Sequence, residues 1–259
     1  MSSTTNVRFM RREDTGYHRG ADRRARPIPA RASGGNGGSG VRGVVFDLDG
    51  TLADTLATIA GVANFALRSL DLPEHPRDAY RTMVGDGIVV LCRRALPADR
   101  PDLEGEMLAR VRARYADHYL DGARLYDGMR ELLLDLKQRG ARLAVLSNKP
   151  DDLTRKTIVG LGVGDLFDAV AGQREGVAPK PDPAGAHAVR LALDLPAHEI
   201  LFVGDTAIDM KTARAAGFPS VGVLWGFRPP RELRENGADF LVTKPAEILP
   251  IYQQGANAR

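Results

Sequence analysis

The chain of 259 residues is 43% hydrophobic, carries 36 lysines and arginines against 33 acids, and has a formal net charge of +3. This is enough apolar material for one globular domain with a subdomain, and no stretch is apolar for long enough to span a bilayer. The single cysteine, Cys92, excludes an internal disulfide, and the histidines at 18, 75, 118, 187 and 198 lack zinc-ligand spacing, so a cytoplasmic protein is expected.

The basic excess belongs to one segment. Residues 1–40 hold eight arginines and no lysine against Glu13, Asp14 and Asp22, a local charge of +5 that leaves −2 for the remainder. The segment is poor in apolar residues and ends in Ser33-Gly34-Gly35-Asn36-Gly37-Gly38-Ser39-Gly40, so 1–40 is expected to be a disordered Arg- and Gly-rich tail. A solvated tail or an overextended translation start explains it more simply than a nucleic-acid arm, since basic clusters alone are weak evidence. It lacks the apolar core of a secretory signal.

The first element beyond the tail is an apolar strand, Val44-Val45-Phe46, that runs into Asp47-Leu48-Asp49-Gly50-Thr51. Alternate side chains of an extended segment share a face, so Asp47 and Asp49 are expected to point into one small space, where their charges repel. A divalent cation or a shared proton relieves that repulsion, and either is useful for attacking a phosphate. The competing explanation is an Asp-rich turn. A calcium loop is disfavoured, because Leu52, Ala53 and Leu56 follow where further acidic ligands are needed.

The hydrophobic period then changes to that of helices. Leu56, Ile59, Ala60, Ala63, Leu67 and Leu70 mark one face, with Leu72-Pro73 as the stop. Further apolar positions through Tyr80, Ile88 to Leu91, Met107, Val111 and Tyr115 extend a helical bundle over 57–123. Gly85-Asp86-Gly87 interrupts it, either as an ordinary turn or as a loop that meets a ligand. Arg93 and Arg94 could bind a carboxylate bidentately or simply face solvent. The α/β pattern resumes at Leu125-Tyr126-Asp127-Gly128, so 41–56 and 124–259 are expected to form the core around the helical insertion.

Two later apolar runs read as buried parallel strands, each ending in polar residues. Leu143 to Leu146 delivers Ser147-Asn148-Lys149, and Ile200 to Val203 delivers Gly204-Asp205-Thr206 with Asp209 beyond. Between them lies Lys180, stiffened by Pro179, Pro181 and Pro183. Ligands bind at the carboxyl ends of strands in an open α/β sheet, so these clusters should meet at one edge. Ser147 and Asp205 could instead cap the helices that follow them. Asp209 could orient Lys180 or a metal-bound water, or sit on a first helical turn because acids suit that end.

These four clusters, in this order, make the chain resemble the haloacid dehalogenase-like hydrolases over about residues 41–250, on the branch that contains phosphoglycolate phosphatases. The resemblance implies an α/β fold, a Rossmann-like parallel sheet core with a small all-helical cap inserted after the first strand. It implies Asp47 as nucleophile and Asp49 as general acid/base, with Ser147 and Lys180 holding the phosphoryl oxygens. Magnesium is the implied cofactor, bound by a carboxylate oxygen of Asp47, the main-chain carbonyl of Asp49 and the carboxylate of Asp205, with Asp209 in support. Gly50, Thr51 and Asn148 from the core, and Gly85, Asp86 and Gly87 from the cap, are the expected substrate-binding residues. For Asp49 to protonate a leaving alcohol, its proton affinity has to lie above that of Asp47.

Tyr126-Asp127-Gly128, Ser147-Asn148-Lys149-Pro150 and Trp225-Gly226-Phe227-Arg228 are similar to the phosphoglycolate phosphatase-like members. That likeness implies a small phosphorylated metabolite, phosphoglycolate or a relative of it, as substrate. A phosphomutase, a pyrophosphatase and a non-catalytic phosphate-binding protein with a basic arm are the alternatives. Neither a membrane nor a nucleic-acid partner is expected, and the chain should be a monomer or homodimer.

Overall fold

Val44, Val45 and Phe46 have no exposed surface, and burial on both faces is why this strand reads as an unbroken apolar run rather than an alternating one. In the computed structural model, residues 40–255 are described, so the expectation for the tail at 1–40 falls outside them save at Gly40. Strand β1 (Gly43–Phe46) is followed by the short β2 (Ala53–Asp54) and by four helices, α1 (Leu56–Arg68), α2 (Tyr80–Met83), α3 (Ile88–Ala95) and α4 (Glu104–His118). The chain returns through β3 (Arg124–Leu125), α5 (Met129–Gln138), β4 (Arg142–Pro150), α6 (Asp151–Gly160), β5 (Ala169–Gln173) and α7 (Ala184–Leu193). It ends with β6 (Ile200–Gly204), α8 (Ala207–Ala216), β7 (Ser220–Val223), α9 (Pro230–Glu235), β8 (Phe240–Val242) and α10 (Ile248–Gln254).

Six strands form a parallel sheet in the order β5-β4-β1-β6-β7-β8. Strand β1 is central, with Val45 level with Ala144 of β4 on one side and Phe202 of β6 on the other. The chain builds outward from β1 through β4 and β5, then restarts on the opposite side at β6, so the order reverses at β1. A crevice opens at the carboxyl ends of strands at such a reversal. Leu132, Leu133 and Leu136 of α5 pack on the same apolar cluster as Phe46, Val145 and Val203.

Helix α8 shows how local sequence sets a boundary. Thr206 caps its start in a reciprocal capping box with Asp209, and Gly217, at φ 73°, ends it. The cap is thus Thr206, not Asp205. Ser147 is not a cap either, because β4 continues through it to Pro150, which pairs with Gln173 of β5. Helix α1 stops at Arg68, before the Leu72-Pro73 signal: Asp71 takes φ 57° and the Leu72 N–H bonds back to the Leu67 carbonyl, closing the turn early.

Helices α1 to α4 have their own apolar cluster, in which Leu67, Tyr80, Cys92, Met107 and Val111 are fully buried. The chain enters and leaves this helical layer side by side, because β2 and β3 pair antiparallel through Ala53 with Leu125 and Asp54 with Arg124. Among the described residues, no helix is long and apolar enough to cross a membrane. Burial pushes the Cys92 thiol up to about 12, so it should not react with a disulfide reagent at mildly alkaline pH in the native protein and should react fully in denaturant. Prompt native labelling would show that the cap interior opens.

Candidate active site

Three neighbouring strands deliver the polar residues to one edge of the sheet. Asp47 and Asp49 follow β1, Ser147, Asn148 and Lys149 lie on the last part of β4, and Asp205 follows β6. Lys180 reaches the same place from the segment before α7. Its ammonium lies 2.8 Å from Asp47 Oδ1, 2.7 Å from Asp209 Oδ1 and 3.1 Å from the Leu146 carbonyl.

Charge is unevenly balanced in this buried space. Asp47, Asp205 and Asp209 bring carboxylate oxygens within 4.8 Å of one another, and Lys180 is the ammonium in contact with two of them. Burial pushes Asp47 up to about 7, with Asp209 adding to the effect and Lys180 opposing it. Burial and the carboxylates of Asp209 and Asp47 likewise hold Asp205 well above the usual carboxylate range. Burial alone would lower Lys180, but Asp209 and Asp47 outweigh it and keep the ammonium charged.

An all-oxygen set with surplus negative charge suits a hard divalent cation. Asp209 has little left to offer one, since Oδ1 holds Lys180 and Oδ2 accepts from the Thr206 amide at 3.0 Å and hydroxyl at 2.7 Å. Asp47 and Asp205 are the carboxylates that fit that task. Asp209 joins both expected roles, orienting Lys180 while capping α8.

Asp205 is held by a cradle that sequence did not reveal in full. Thr51 donates to its Oδ1 at 3.1 Å and the Phe227 amide to its Oδ2 at 2.7 Å. Gly50 and Gly226 close in from either side, and a Cβ on either would collide with Asp205 atoms. Gly50 also adopts φ 86°, which side chains disfavour. The Trp225 indole ties the two loops together by donating to the Thr51 carbonyl at 3.0 Å. Gly50 and Thr51, expected to bind substrate, therefore act on Asp205, and Thr51 is fully buried away from the cavity.

The cavity itself, about 50 Å3, lies between the sheet edge and the cap and is lined by Asp47, Asp49, Ser147, Asn148 and Lys149 on the core side. Gly85, Gly87, Ile88 and Tyr115 line the cap side. Asn148 is mainly a clamp: its side chain accepts from the Lys180 amide at 2.8 Å and donates to the Lys180 and Gly85 carbonyls at 2.9 and 3.0 Å. The Asp86 carboxylate does not join the lining, because Arg94 holds it at 2.6 Å. Arg93 pairs with Glu104 on the surface. Neither arginine lines the cavity.

Sequence reasoning passed over Lys149 and Tyr115. The Lys149 ammonium lies 2.9 Å from Asp49 Oδ1 and 2.7 Å from the Tyr115 hydroxyl of α4, while Thr55 donates to Asp49 Oδ1 at 2.7 Å. Burial would lower Lys149, yet Asp49 and Tyr115 outweigh it and hold the ammonium raised. The adjacency of Lys149 to Ser147 was a usable signal, whereas Tyr115 was masked by a helical period that marks core residues equally well.

The raised Asp47 has a consequence for stability in chelator. With a folded value of about 7 against 3.8, the native state keeps a proton that the unfolded chain releases, so this contribution is complete below 3.8 and is lost as pH rises through 7. Melting temperature in chelator should therefore fall between about pH 4 and about pH 7, and Asp47→Asn should flatten that fall. An identical slope in the variant would assign it to other groups.

A family model described as haloacid dehalogenase-like hydrolase matches residues 44–223. A phosphoglycolate phosphatase of Pectobacterium atrosepticum is 33% identical over 215 residues, covering 82% of this chain and 92% of its own. One from Rhodospirillum rubrum is 38% identical over 194 residues, covering 72% and 80%. Among solved structures, a predicted phosphoglycolate phosphatase from Haemophilus somnus 129PT superposes with a TM-score of 0.76 at 28% identity, covering 83% of this chain and 99% of that one. With its parallel sheet, its helical cap and most of its length matched, the chain belongs to the haloacid dehalogenase-like hydrolases, on their phosphoglycolate phosphatase-like branch.

Proposed function

We propose that this chain hydrolyses a small phosphomonoester, with 2-phosphoglycolate as the preferred substrate, through a phosphorylated Asp47. The observation that carries this reading is a buried carboxylate, Asp47, held by Lys180 at 2.8 Å and lining a cavity of about 50 Å3 under the cap. The names of the relatives point to the same substrate.

In this reading Asp47 attacks phosphorus in line and splits one hard displacement into two easier ones. Asp49, steadied by Thr55 and Lys149, gives a proton to the departing ester oxygen and then takes one from the attacking water. Lys180 fixes the attacking carboxylate and, with Ser147 beside it, meets the charge that spreads over the phosphoryl oxygens. Asp47, Asp205 and the main-chain carbonyl of Asp49 would hold magnesium, which when bound screens the charge on the phosphoryl group. The cap keeps water other than the attacking one away.

The test is magnesium-dependent phosphate release from 2-phosphoglycolate, sugar phosphates, nucleotides and pyrophosphate. Phosphoglycolate should lead, and Asp47→Asn should lower every rate by at least about a thousandfold, because an amide cannot take the place of the attacking carboxylate. Substantial turnover by the purified variant would sink the assignment, and transfer of phosphate between sugar positions would indicate a mutase. Asp205→Asn should raise the magnesium concentration needed for half-maximal activity by about tenfold or more, while its circular dichroism spectrum stays that of the parent. An unchanged magnesium titration would remove Asp205 from the ligand set.

A further inference from the structure

Lys149 is the one cation among the residues lining the cavity, and the reading above gives it no task beyond its contact with Asp49. Its side chain is 4% exposed. The same lining holds apolar side chains, Ile59, Ile88 and Leu91 from the cap and Leu153 from α6. An apolar side chain would pack against such a wall at lower cost than an ammonium. An ammonium has three N–H donors, and Asp49 and Tyr115 use two of them.

We infer that Lys149, with the Tyr115 hydroxyl beside it, recognises a carboxylate carried by the alcohol half of the substrate and so selects phosphorylated acids over neutral phosphomonoesters. The inference rests on the hydrolase reading, and bonding within the substrate supports it. In a 2-phosphorylated acid, one carbon separates the ester oxygen from the carboxylate. The group that serves the first and the group that holds the second must therefore be neighbours. Asp49, placed at the ester oxygen, and Lys149 are 2.9 Å apart. The substrate carboxylate takes the donor that Asp49 and Tyr115 leave over, forming a charge-assisted hydrogen bond. Tyr115 comes from α4, so this recognition is complete only with the cap over the sheet, as it lies here.

The experiment compares kcat/KM for 2-phosphoglycolate with that for ethyl phosphate, an ester with a methyl group in place of the carboxylate. In Lys149→Met the ratio of the two should fall by about tenfold to a hundredfold, the worth of one charge-assisted hydrogen bond. Tyr115→Phe should lower it by a smaller factor, and Lys149→Arg should retain part of the preference. Both esters need the same phosphoryl chemistry, so damage to Asp49 or to folding cancels in the ratio. Tyr115→Phe keeps the ratio readable even if Lys149→Met does not fold. A ratio unchanged in the folded variants overturns the inference and leaves the hydrolase reading standing. Failure of the parent enzyme to release phosphate from either ester removes that reading, and the inference with it.

Discussion

Lys180 places one positive charge within hydrogen-bonding distance of Asp47 and Asp209, with Asp205 close by, where none of the four side chains is more than a tenth exposed. Charges removed from water in this way are tolerable only when each has partners, and breaking such a set leaves an uncompensated charge. The surrounding structure supplies those partners from separate elements. The Leu146 carbonyl midway along β4 takes one Lys180 donor, the start of α8 takes the second oxygen of Asp209, and the loop after β7 gives Asp205 the Phe227 amide. A rigid parallel sheet is what lets elements so distant in sequence meet within a few ångströms.

The cap is tied into the same network rather than merely resting on it. Asn148 binds both main-chain polar groups of Lys180 and also the Gly85 carbonyl of the cap loop. Arg81 donates to the Gly226 carbonyl, next to the residue that holds Asp205, and Arg228 donates to the Val84 carbonyl. Lys149 joins Asp49 to Tyr115. The bonds of Asn148 to Gly85, Arg81 to Gly226, Arg228 to Val84 and Lys149 to Tyr115 each join a core residue to a cap residue. The position of the cap is thereby felt at the carboxylates.

The sheet and the gathering of the charged residues were legible from sequence because both follow from short-range rules. Unbroken apolar runs mark strands buried on both faces, and the polar residue that ends each run must lie at the sheet edge. What could not be read was how each side chain spends its hydrogen bonds. Thr51 and Asn148 were expected at the substrate; Thr51 holds Asp205, and Asn148, which does line the cavity, spends its side-chain amide on the main chain of Lys180 and the Gly85 carbonyl. Asp86 looked poised in its Gly-Asp-Gly loop, but Arg94, in the last turn of α3, claims it. Such choices depend on partners far away in the chain, for which spacing carries no signal. The boundary of α1 was missed for a local reason: a left-handed Asp71 is rarer than a proline as a stop.

The antiparallel ribbon of β2 and β3 brings the two ends of the helical layer together at adjacent points beside the sheet. From the standpoint of the sheet, everything between Asp54 and Arg124 is one long loop with its ends already joined. The entropy of closing a loop grows only with the logarithm of its length. Lengthening, shortening or exchanging that segment therefore costs the sheet little, provided the ribbon is kept. Substrate range can diversify through the inserted segment while the buried carboxylates and Lys180, which tolerate almost no change, stay on the part of the chain that is left alone.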